Sequence, residues 1–218
     1  MPESPDAKLT LYYAPRTRSF TALWLLEELG EPYRLESFAL HTGRHKQPDY
    51  LALNPMGKVP LVVDGDVAVA ELGAMAIYLP DRYPQSKLAP AVDDPDRAAF
   101  LRWCFFSSAI MEPAYAQKFH DWSCNPSSVA WGSFEQMLAV LDAGVQPGPY
   151  LLGERFSAAD VLVGSAARFG VMFGVLPKDG PAAAYAARLG DRDALARAEA
   201  IDKREGERFP PPAPQQQQ

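Results

Sequence analysis

The stretch KLTLYYAPRTRSFTALWLLEELGEPY, residues 8–33, decides the fold of this chain. Its first part, Leu9–Tyr13, contains aromatic and β-branched residues and predicts a strand that ends before Pro15. The part that follows predicts a helix that ends at Gly30, with Pro32 just beyond it. Leucine and tryptophan cover more than one face of this helix, so we expect it to lie between a sheet and a second domain.

The next fifty residues continue with strand and helix patterns. Tyr33–Leu40 predicts a second strand. Leu61–Val63 and Val67–Val69 flank an Asp-Gly-Asp turn, which predicts a hairpin, and Glu71–Tyr83 predicts a helix. A βαβ unit followed by a ββα unit indicates an α/β domain over residues 1–83, with a small mixed sheet flanked by helices.

The remainder of the chain is helical in pattern. Residues 84–95 contain three prolines and predict a linker, and residues 96–204 predict an all-α domain. Helices are predicted over Asp96–Phe119, over Ser128–Val145, and from Ser157, Pro181 and Asp191 onward. The Pro- and Gln-rich residues 205–218 are predicted to form a disordered tail.

Composition and charge exclude several classes of function. The chain has 218 residues, 48% of them hydrophobic, and a formal net charge of −6. This acidic balance argues against sequence-independent binding of nucleic acid. The two cysteines, Cys104 and Cys124, fit neither a disulfide framework nor a zinc site, and three histidines leave little for another metal site. We therefore expect no bound metal.

Membrane and export signals are missing from the sequence pattern. No run approaches 18 apolar residues, so no membrane span is expected. The opening residues MPESPDAKLTLYYAPR lack the charged and apolar regions of a signal peptide. Both observations favour a cytoplasmic protein.

A turn rich in hydroxyl and guanidinium groups, Arg16–Ser19, joins the first strand to the first helix. The N-terminus of a helix carries unpaired N–H groups and a partial positive charge, which lower the pKa of a thiol placed there. A Ser or Thr hydroxyl in the turn would donate a hydrogen bond to the sulfur. The alternative is that Thr17 or Ser19 is simply the N-cap of the helix.

Three further motifs lie on loops and helix starts. Asn54–Pro60 leads into the hairpin, and a cis bond between Val59 and Pro60 would expose the Val59 backbone for strand-like pairing with a peptide. Glu71 stands at a helix start, as a dipole partner or as an acceptor for a ligand ammonium group. Ser157 and Asp160 have the spacing of a capping box, and Phe156 with Val161 that of a hydrophobic staple.

In this order and spacing, the motifs resemble the cytosolic glutathione transferase family. The resemblance covers roughly residues 8–200 and is carried by RSFTALWLLEELGEPY, YLALNPMGKVPLVVDGD, AIYLPDRYP and FSAADVLVG. The segment RAAFLRWCFFSSAIMEPA is similar to a bacterial, theta- or beta-like branch. The resemblance implies a thioredoxin-like N-terminal domain, an all-helical C-terminal domain, and a homodimer with one glutathione site per subunit.

The resemblance also implies a role for individual residues. The Val59 backbone would pair with the cysteinyl part of glutathione next to a cis Pro60, and Glu71 would hold the γ-glutamyl amino group. Leu72 stands where the family usually has Ser, so only its backbone N–H would reach the γ-glutamyl carboxylate. The glycine carboxylate is assigned to three basic side chains, His45, Lys46 and Lys58.

The residue that activates the thiol departs from the family pattern. Theta-like relatives have Ser where this chain has Ala14, and beta-like relatives have Cys where it has Arg18. The remaining candidates are the Ser19 and Thr17 hydroxyls, with Arg18 as an electrostatic partner. We favour Ser19 over Thr17.

A second substrate is expected against the first helix of the all-α domain. An apolar stripe recurs there at helical spacing in Phe105, Met111, Tyr115 and Phe119. Such a stripe is either a ligand wall or part of the core.

The resulting hypothesis is a glutathione transferase that activates the thiolate for attack on small hydrophobic electrophiles. One alternative is a glutathione-dependent disulfide reductase or peroxidase on the same fold. The other is a non-catalytic binding or scaffold protein that has kept the fold.

Overall fold

In the computed structural model of the chain, the strand predicted at its start lies inside a four-stranded sheet of order β2-β1-β3-β4. β1 (Leu9–Tyr13) pairs in parallel with β2 (Tyr33–Ser37) and antiparallel with β3 (Leu61–Asp64). β3 pairs antiparallel with β4 (Val67–Ala70) around the predicted hairpin turn. The thioredoxin-like mixed sheet that the sequence predicts is therefore confirmed.

The structure describes residue 4 and residues 7–212, and these residues form two units. The first unit combines the residues up to Glu71 with those from Asp193 onward, and the second consists of Leu72–Arg192. Thus the contacts group the last helix with the sheet. The predicted division into domains over residues 1–83 and 96–204, with a linker at 84–95, stays a prediction.

Helix α1 (Ser19–Leu29) is packed on two sides, as its sequence predicts. It ends at Gly30, whose φ of 76° is left-handed and whose N–H donates to the Leu26 carbonyl. One side of α1 contacts β1, and the other contacts α9 (Asp193–Arg208), which comes from the far end of the chain. α1 therefore lies between the sheet and a helix that is far from it in sequence.

The other helices of the described chain are divided between the two units. The first unit also contains α2 (Pro48–Leu53), preceded by two 3₁₀ turns at Leu40–Thr42 and Arg44–Lys46. The helices of the second unit are α3 (Leu72–Arg82), α4 (Arg97–Phe105), α5 (Glu112–His120), α6 (Phe134–Gly144), α7 (Ala158–Met172) and α8 (Pro181–Arg188). No helix within the described ranges is long and apolar enough to cross a membrane.

Two helix predictions in the second unit are wrong in detail. The helix predicted over Asp96–Phe119 is divided into α4 and α5 by a π-helical segment, Phe106–Met111. Pro113, near the start of α5, has no N–H to donate, which interrupts regular helix bonding just after that segment. The helix predicted from Ser128 begins at Phe134, because Ser133 and Gln136 form a capping box there.

Predictions in the first unit also needed correction. The second strand ends at Ser37, three residues before its predicted end, and α2 was not predicted. Glu205–Arg208, placed in the predicted tail, belongs to α9. The Glu205 carboxylate is buried and accepts hydrogen bonds from Ser37 (2.5 Å) and Arg204 (2.9 Å), which holds this end of the helix. Residues 213–218 of the predicted tail lie outside the described residues.

The capping box at the start of α7 is confirmed, and it connects several elements of the second unit. Asp160 is fully buried and accepts hydrogen bonds from the Ser157 N–H (2.9 Å) and hydroxyl (3.0 Å). It also accepts from the Leu151 N–H and the Tyr185 hydroxyl, both at 2.9 Å. Burial raises the pKa of Asp160, while these donors oppose that rise. One side chain therefore joins a loop and two helices.

Asp160→Ala is expected to destabilise the second unit strongly. The substitution leaves several buried donors without an acceptor, at a cost of about 1–3 kcal/mol each. We expect the free energy of unfolding, measured by urea denaturation, to fall by about 3 kcal/mol or more. The exposed Asp179→Ala is the matched control and should change it by less than about 0.5 kcal/mol. An equal effect of the two variants would contradict the assigned role.

Candidate active site

The turn between β1 and α1 is closed by two hydroxyl groups. The Ala14 N–H donates to Ser19 Oγ at 3.1 Å, and both the Ser19 and the Thr17 hydroxyls contact the Ala14 carbonyl, at 3.1 and 2.8 Å. The two hydroxyls also contact each other, and the Ser19 N–H donates to Thr17 Oγ1 at 3.1 Å. These bonds fix the backbone at the start of α1.

The three residues proposed for thiol activation differ in exposure. Ser19 has an exposed fraction of 0%, whereas Thr17 is half-buried and Arg18 is exposed. Arg18 occupies the N-cap position without a side-chain cap bond, so neither Thr17 nor Ser19 is the N-cap. The geometry favours Thr17 over Ser19 as the hydroxyl that reaches a ligand, because Ser19 is enclosed by the turn.

The loop before β3 presents an unpaired stretch of backbone. The Val59–Pro60 bond is cis, as expected from the resemblance. Among the described residues, the Val59 N–H and C=O form no hydrogen bond. The preceding carbonyl, of Lys58, accepts hydrogen bonds from the Tyr50 hydroxyl (2.5 Å) and Asn54 Nδ2 (2.9 Å). Two side chains thus hold the loop at the Lys58 carbonyl, whereas the N–H and C=O of Val59 stay available to a ligand.

The supporting residues Tyr50 and Asn54 were missed by the sequence analysis as contributors to the site. Tyr50 is fully buried, and burial raises its pKa to about 12, so its hydroxyl stays protonated and donates. The signal that was available is Pro48, which starts α2 and places Tyr50 on the face toward the loop.

Lys46 forms hydrogen bonds within the protein. Its ammonium group donates to the carbonyl of Gly57 at 2.6 Å and to that of Met56 at 3.2 Å. Gly57 has a φ of 55°, and a Cβ added to it would lie 2.8 Å from Lys46 Nζ and 2.9 Å from the His45 carbonyl oxygen. An ammonium group has three donors, so Lys46 keeps one for a ligand.

His45 carries an unsatisfied buried atom. Its Nδ1 is buried and has no hydrogen-bond partner within the described part of the chain, and its ring stacks on Phe38 with 6.3 Å between the centroids. Burial lowers the pKa of His45, and the nearby charges of Lys46 and Lys58 lower it further. The fold therefore favours the neutral imidazole, in a positive environment that suits an anionic group.

Glu71 is held in an unusual backbone conformation. Its φ of 68° lies in the left-handed region, which costs a non-glycine residue about 1–2 kcal/mol. Its side chain is exposed and has no partner among the described residues. Leu72 follows as the first residue of α3. Strain at an exposed carboxylate is typical of a binding position.

The four predicted second-substrate residues do not share one environment. Phe105 and Phe119 are 58% and 69% exposed, while Met111 is fully buried. Tyr115 is half-buried, and its buried hydroxyl bonds to none of the residues that the structure describes. The π-helical segment begins directly after Phe105, ends with Met111 and changes the helical phase, so the regular spacing does not produce one stripe.

The possible metal ligands and the two thiols are dispersed over the described residues. No three side chains of His, Cys, Asp or Glu come together there as a metal-binding group. Cys104 and Cys124 are free, and burial raises the pKa of Cys104 to about 12. A thiol with that pKa is a poor nucleophile near neutral pH.

Comparison with known sequences gives a consistent set of relatives. Residues 7–81 match the family model described as the N-terminal domain of glutathione S-transferase. Glutathione S-transferase 3 of Zea mays is 32% identical over 168 residues, which cover 71% of this chain and 74% of the relative. The disulfide-bond oxidoreductase YfcG of Escherichia coli K12 is 27% identical over 166 residues, covering 70% and 76%.

Solved structures give the same result. A glutathione transferase homologue from Sulfitobacter with bound glutathione has a TM-score of 0.71 and 28% identity, covering 89% of this chain and 98% of that one. A ternary complex of BphK, a bacterial glutathione transferase, has a TM-score of 0.74 and 26% identity, covering 89% and 99%.

His45 is expected to make stability depend on pH. Its pKa in the fold lies below the ordinary value of 6.5, so its stabilisation is present above that pH and is lost as the pH falls through the lowered pKa. Between about pH 7.5 and 5, the free energy of unfolding should fall further for the wild type than for His45→Gln in urea denaturation.

The exposed His120 supplies the matched control for this comparison. His120→Gln should follow the wild type across the same pH range. Identical pH profiles for His45→Gln and the wild type would show that His45 titrates alike in the folded and unfolded chains.

Proposed function

The chain belongs to the glutathione S-transferase family, and we propose that it binds glutathione and activates the thiolate for attack on small hydrophobic electrophiles. The observation that carries the proposal is the Val59 backbone, whose N–H and C=O form no hydrogen bond with any described residue and lie beside Pro60. An extended peptide pairs with such a stretch as an added strand does. The cysteinyl residue of glutathione would occupy this position.

The ends of glutathione carry charges that match the remaining candidates. Glu71 would accept hydrogen bonds from the γ-glutamyl ammonium group, and the Leu72 N–H would donate to the adjacent carboxylate. The glycine carboxylate would lie against the imidazole of His45, with Lys58 and the third donor of Lys46. This arrangement would give the orphaned imidazole an anionic neighbour. The Sulfitobacter homologue, which holds glutathione, supports the choice of ligand.

Activation of the thiol would come from the turn at the start of α1. A free thiol with a pKa of about 8.5 is only a few per cent ionised at pH 7. Lowering that pKa by about two units makes most of it thiolate, for about 2.7 kcal/mol. The amide dipoles of α1, the Thr17 hydroxyl and the Arg18 charge would supply this together, while Ser19 supports the turn from within.

The reaction then follows from the thiolate. Its sulfur attacks an electrophilic carbon, a carbon–sulfur bond forms, and the leaving group departs with its electron pair. The thiol proton is released to solvent. The hydrophobic partner would use the exposed candidates of the second unit, Phe105 and Phe119, together with Tyr115. Met111 has no exposed surface to offer.

The second candidate function is reduction of disulfides by glutathione, which the similarity to the Escherichia coli oxidoreductase favours. Since Arg18 stands where beta-like relatives have a cysteine, and burial raises the pKa of Cys104 to about 12, both electrons would come from glutathione. The bound thiolate attacks one sulfur of the disulfide and releases a thiol. A second glutathione then attacks the mixed disulfide, which yields oxidised glutathione and the second thiol.

Calorimetric titration with glutathione at neutral pH, followed by an aryl halide conjugation assay, tests the proposal. Binding together with conjugation is the expected result, and light scattering should give twice the chain mass of 23.9 kDa for the proposed cytoplasmic homodimer. Binding without conjugation but with disulfide reduction would favour the second function. No binding at millimolar glutathione would contradict both and leave a scaffold.

Glu71→Gln is expected to weaken glutathione binding. It removes a charged acceptor worth about 1.5–3 kcal/mol, so the dissociation constant should rise roughly 10- to 150-fold in the titration. The exposed Asp66→Asn, on the hairpin turn of the same unit, is the control and should bind like the wild type. Unchanged affinity of Glu71→Gln would leave Glu71 with only a helix-dipole role.

A further inference from the structure

The turn that carries Thr17 is attached to the last helix through Arg16. The Arg16 N–H donates to Asp202 Oδ1 on α9 at 3.1 Å. The Arg16 guanidinium donates to the carbonyls of Gly206, at 3.0 Å, and Phe209, at 2.6 Å. Three hydrogen bonds therefore join one residue of the turn to the C-terminal end of α9.

Asp202 also holds the end of the strand that leads into this turn. The same oxygen, Oδ1, accepts a hydrogen bond from the Tyr13 hydroxyl. Tyr13 is fully buried, and burial together with the Asp202 carboxylate raises its pKa, so the hydroxyl remains a donor. A single carboxylate oxygen thus binds the last residue of β1 and the middle of the turn.

Arg16 needs this support because of its backbone conformation. Its φ of 60° lies in the left-handed region, which residues with a side chain rarely adopt. Such a conformation persists only where the surroundings hold it. Released from Asp202, the backbone at Arg16 would relax and move Thr17, the next residue, together with the first N–H groups of α1.

We infer that Asp202 is a positioning residue, which holds the β1–α1 turn in the conformation that activates the glutathione thiol. The inference rests on the proposed function, and Asp202 acts through Arg16 and Tyr13 rather than on glutathione itself. Asp202 would act by preorganisation, because the donors of the turn would already point to the sulfur where the negative charge of the thiolate develops. A displacement of about 1 Å in such a site reduces rates by about a hundredfold.

Other contacts keep α9 in place without Asp202, which makes the inference testable. Arg197 donates to the Glu27 carboxylate at 2.6 Å and to the Glu27 carbonyl at 3.0 Å. Glu205 accepts from Ser37 at the other end of the contact. Removal of the Asp202 side chain therefore loosens the turn while the helix stays attached to α1.

Asp202→Ala is expected to raise the pKa of the bound glutathione thiol by about one unit, measured by thiolate absorbance across pH. Conjugation below that pKa should fall about tenfold, while the calorimetric affinity for glutathione stays within twofold of the wild type. Asp202→Asn keeps an acceptor oxygen for both donors and should recover at least half of the shift.

Ser37→Ala is the matched control, because it removes a side-chain hydrogen bond to α9 that does not touch the turn. It should lower stability and leave the pKa of the bound thiol unchanged. An equal thiol shift in Ser37→Ala and Asp202→Ala would overturn the inference, since a general loosening of α9 would then explain both. So would a folded Asp202→Ala protein whose thiol titrates like the wild type.

If Asp202→Ala does not fold, Asp202→Asn decides the question. This variant keeps the size of the side chain but replaces the charged acceptor of both hydrogen bonds by a neutral one, and it should raise the thiol pKa by up to about half a unit. An unchanged pKa would overturn the inference. A wild-type complex whose thiol titrates like free glutathione would contradict the proposed function itself, and that result needs no variant.

Discussion

The ion pair between the buried Glu27 carboxylate and Arg197 joins α1 to α9, the helix that the first unit takes from the far end of the chain. Glu27 lies in the buried face of α1 with only 2% of its surface exposed, and Arg197 and the Tyr33 hydroxyl complete its hydrogen bonds. A buried carboxylate without such partners is strongly destabilising. α1 therefore requires Arg197, a residue from the far end of the chain. The same helix, α9, also supplies Asp202, which binds the turn beside α1.

The elements that could be predicted from sequence are those with local signals. β1, the Gly30 stop of α1, the hairpin and the Ser157–Asp160 box depend on residues within a few positions of each other. The π-helical break, the short α2 and the attachment of α9 to α1 depend on tertiary contacts, which hydrophobic periodicity does not report.

The candidate site shows the same division. The resemblance led to Val59, Pro60 and Glu71, where the requirement is a backbone geometry, and the cis bond is present. The resemblance could not show that Ser19 is enclosed by its own turn. Nor could it show that Lys46 donates two of its hydrogen bonds to loop carbonyls. Burial and donor counts decide which polar residues remain available, and both are properties of the folded chain.

The order in which the ribosome makes the chain gives the attachment of α9 a further consequence. Residues 72–192 separate the sheet from its last helix, and at about 5–20 residues per second they take roughly ten seconds to synthesise. During that time the nascent sheet lacks the partner of Glu27, so its apolar helix face is open to aggregation and to chaperones. The N-terminal part therefore emerges first but cannot complete its packing until α9 has been made.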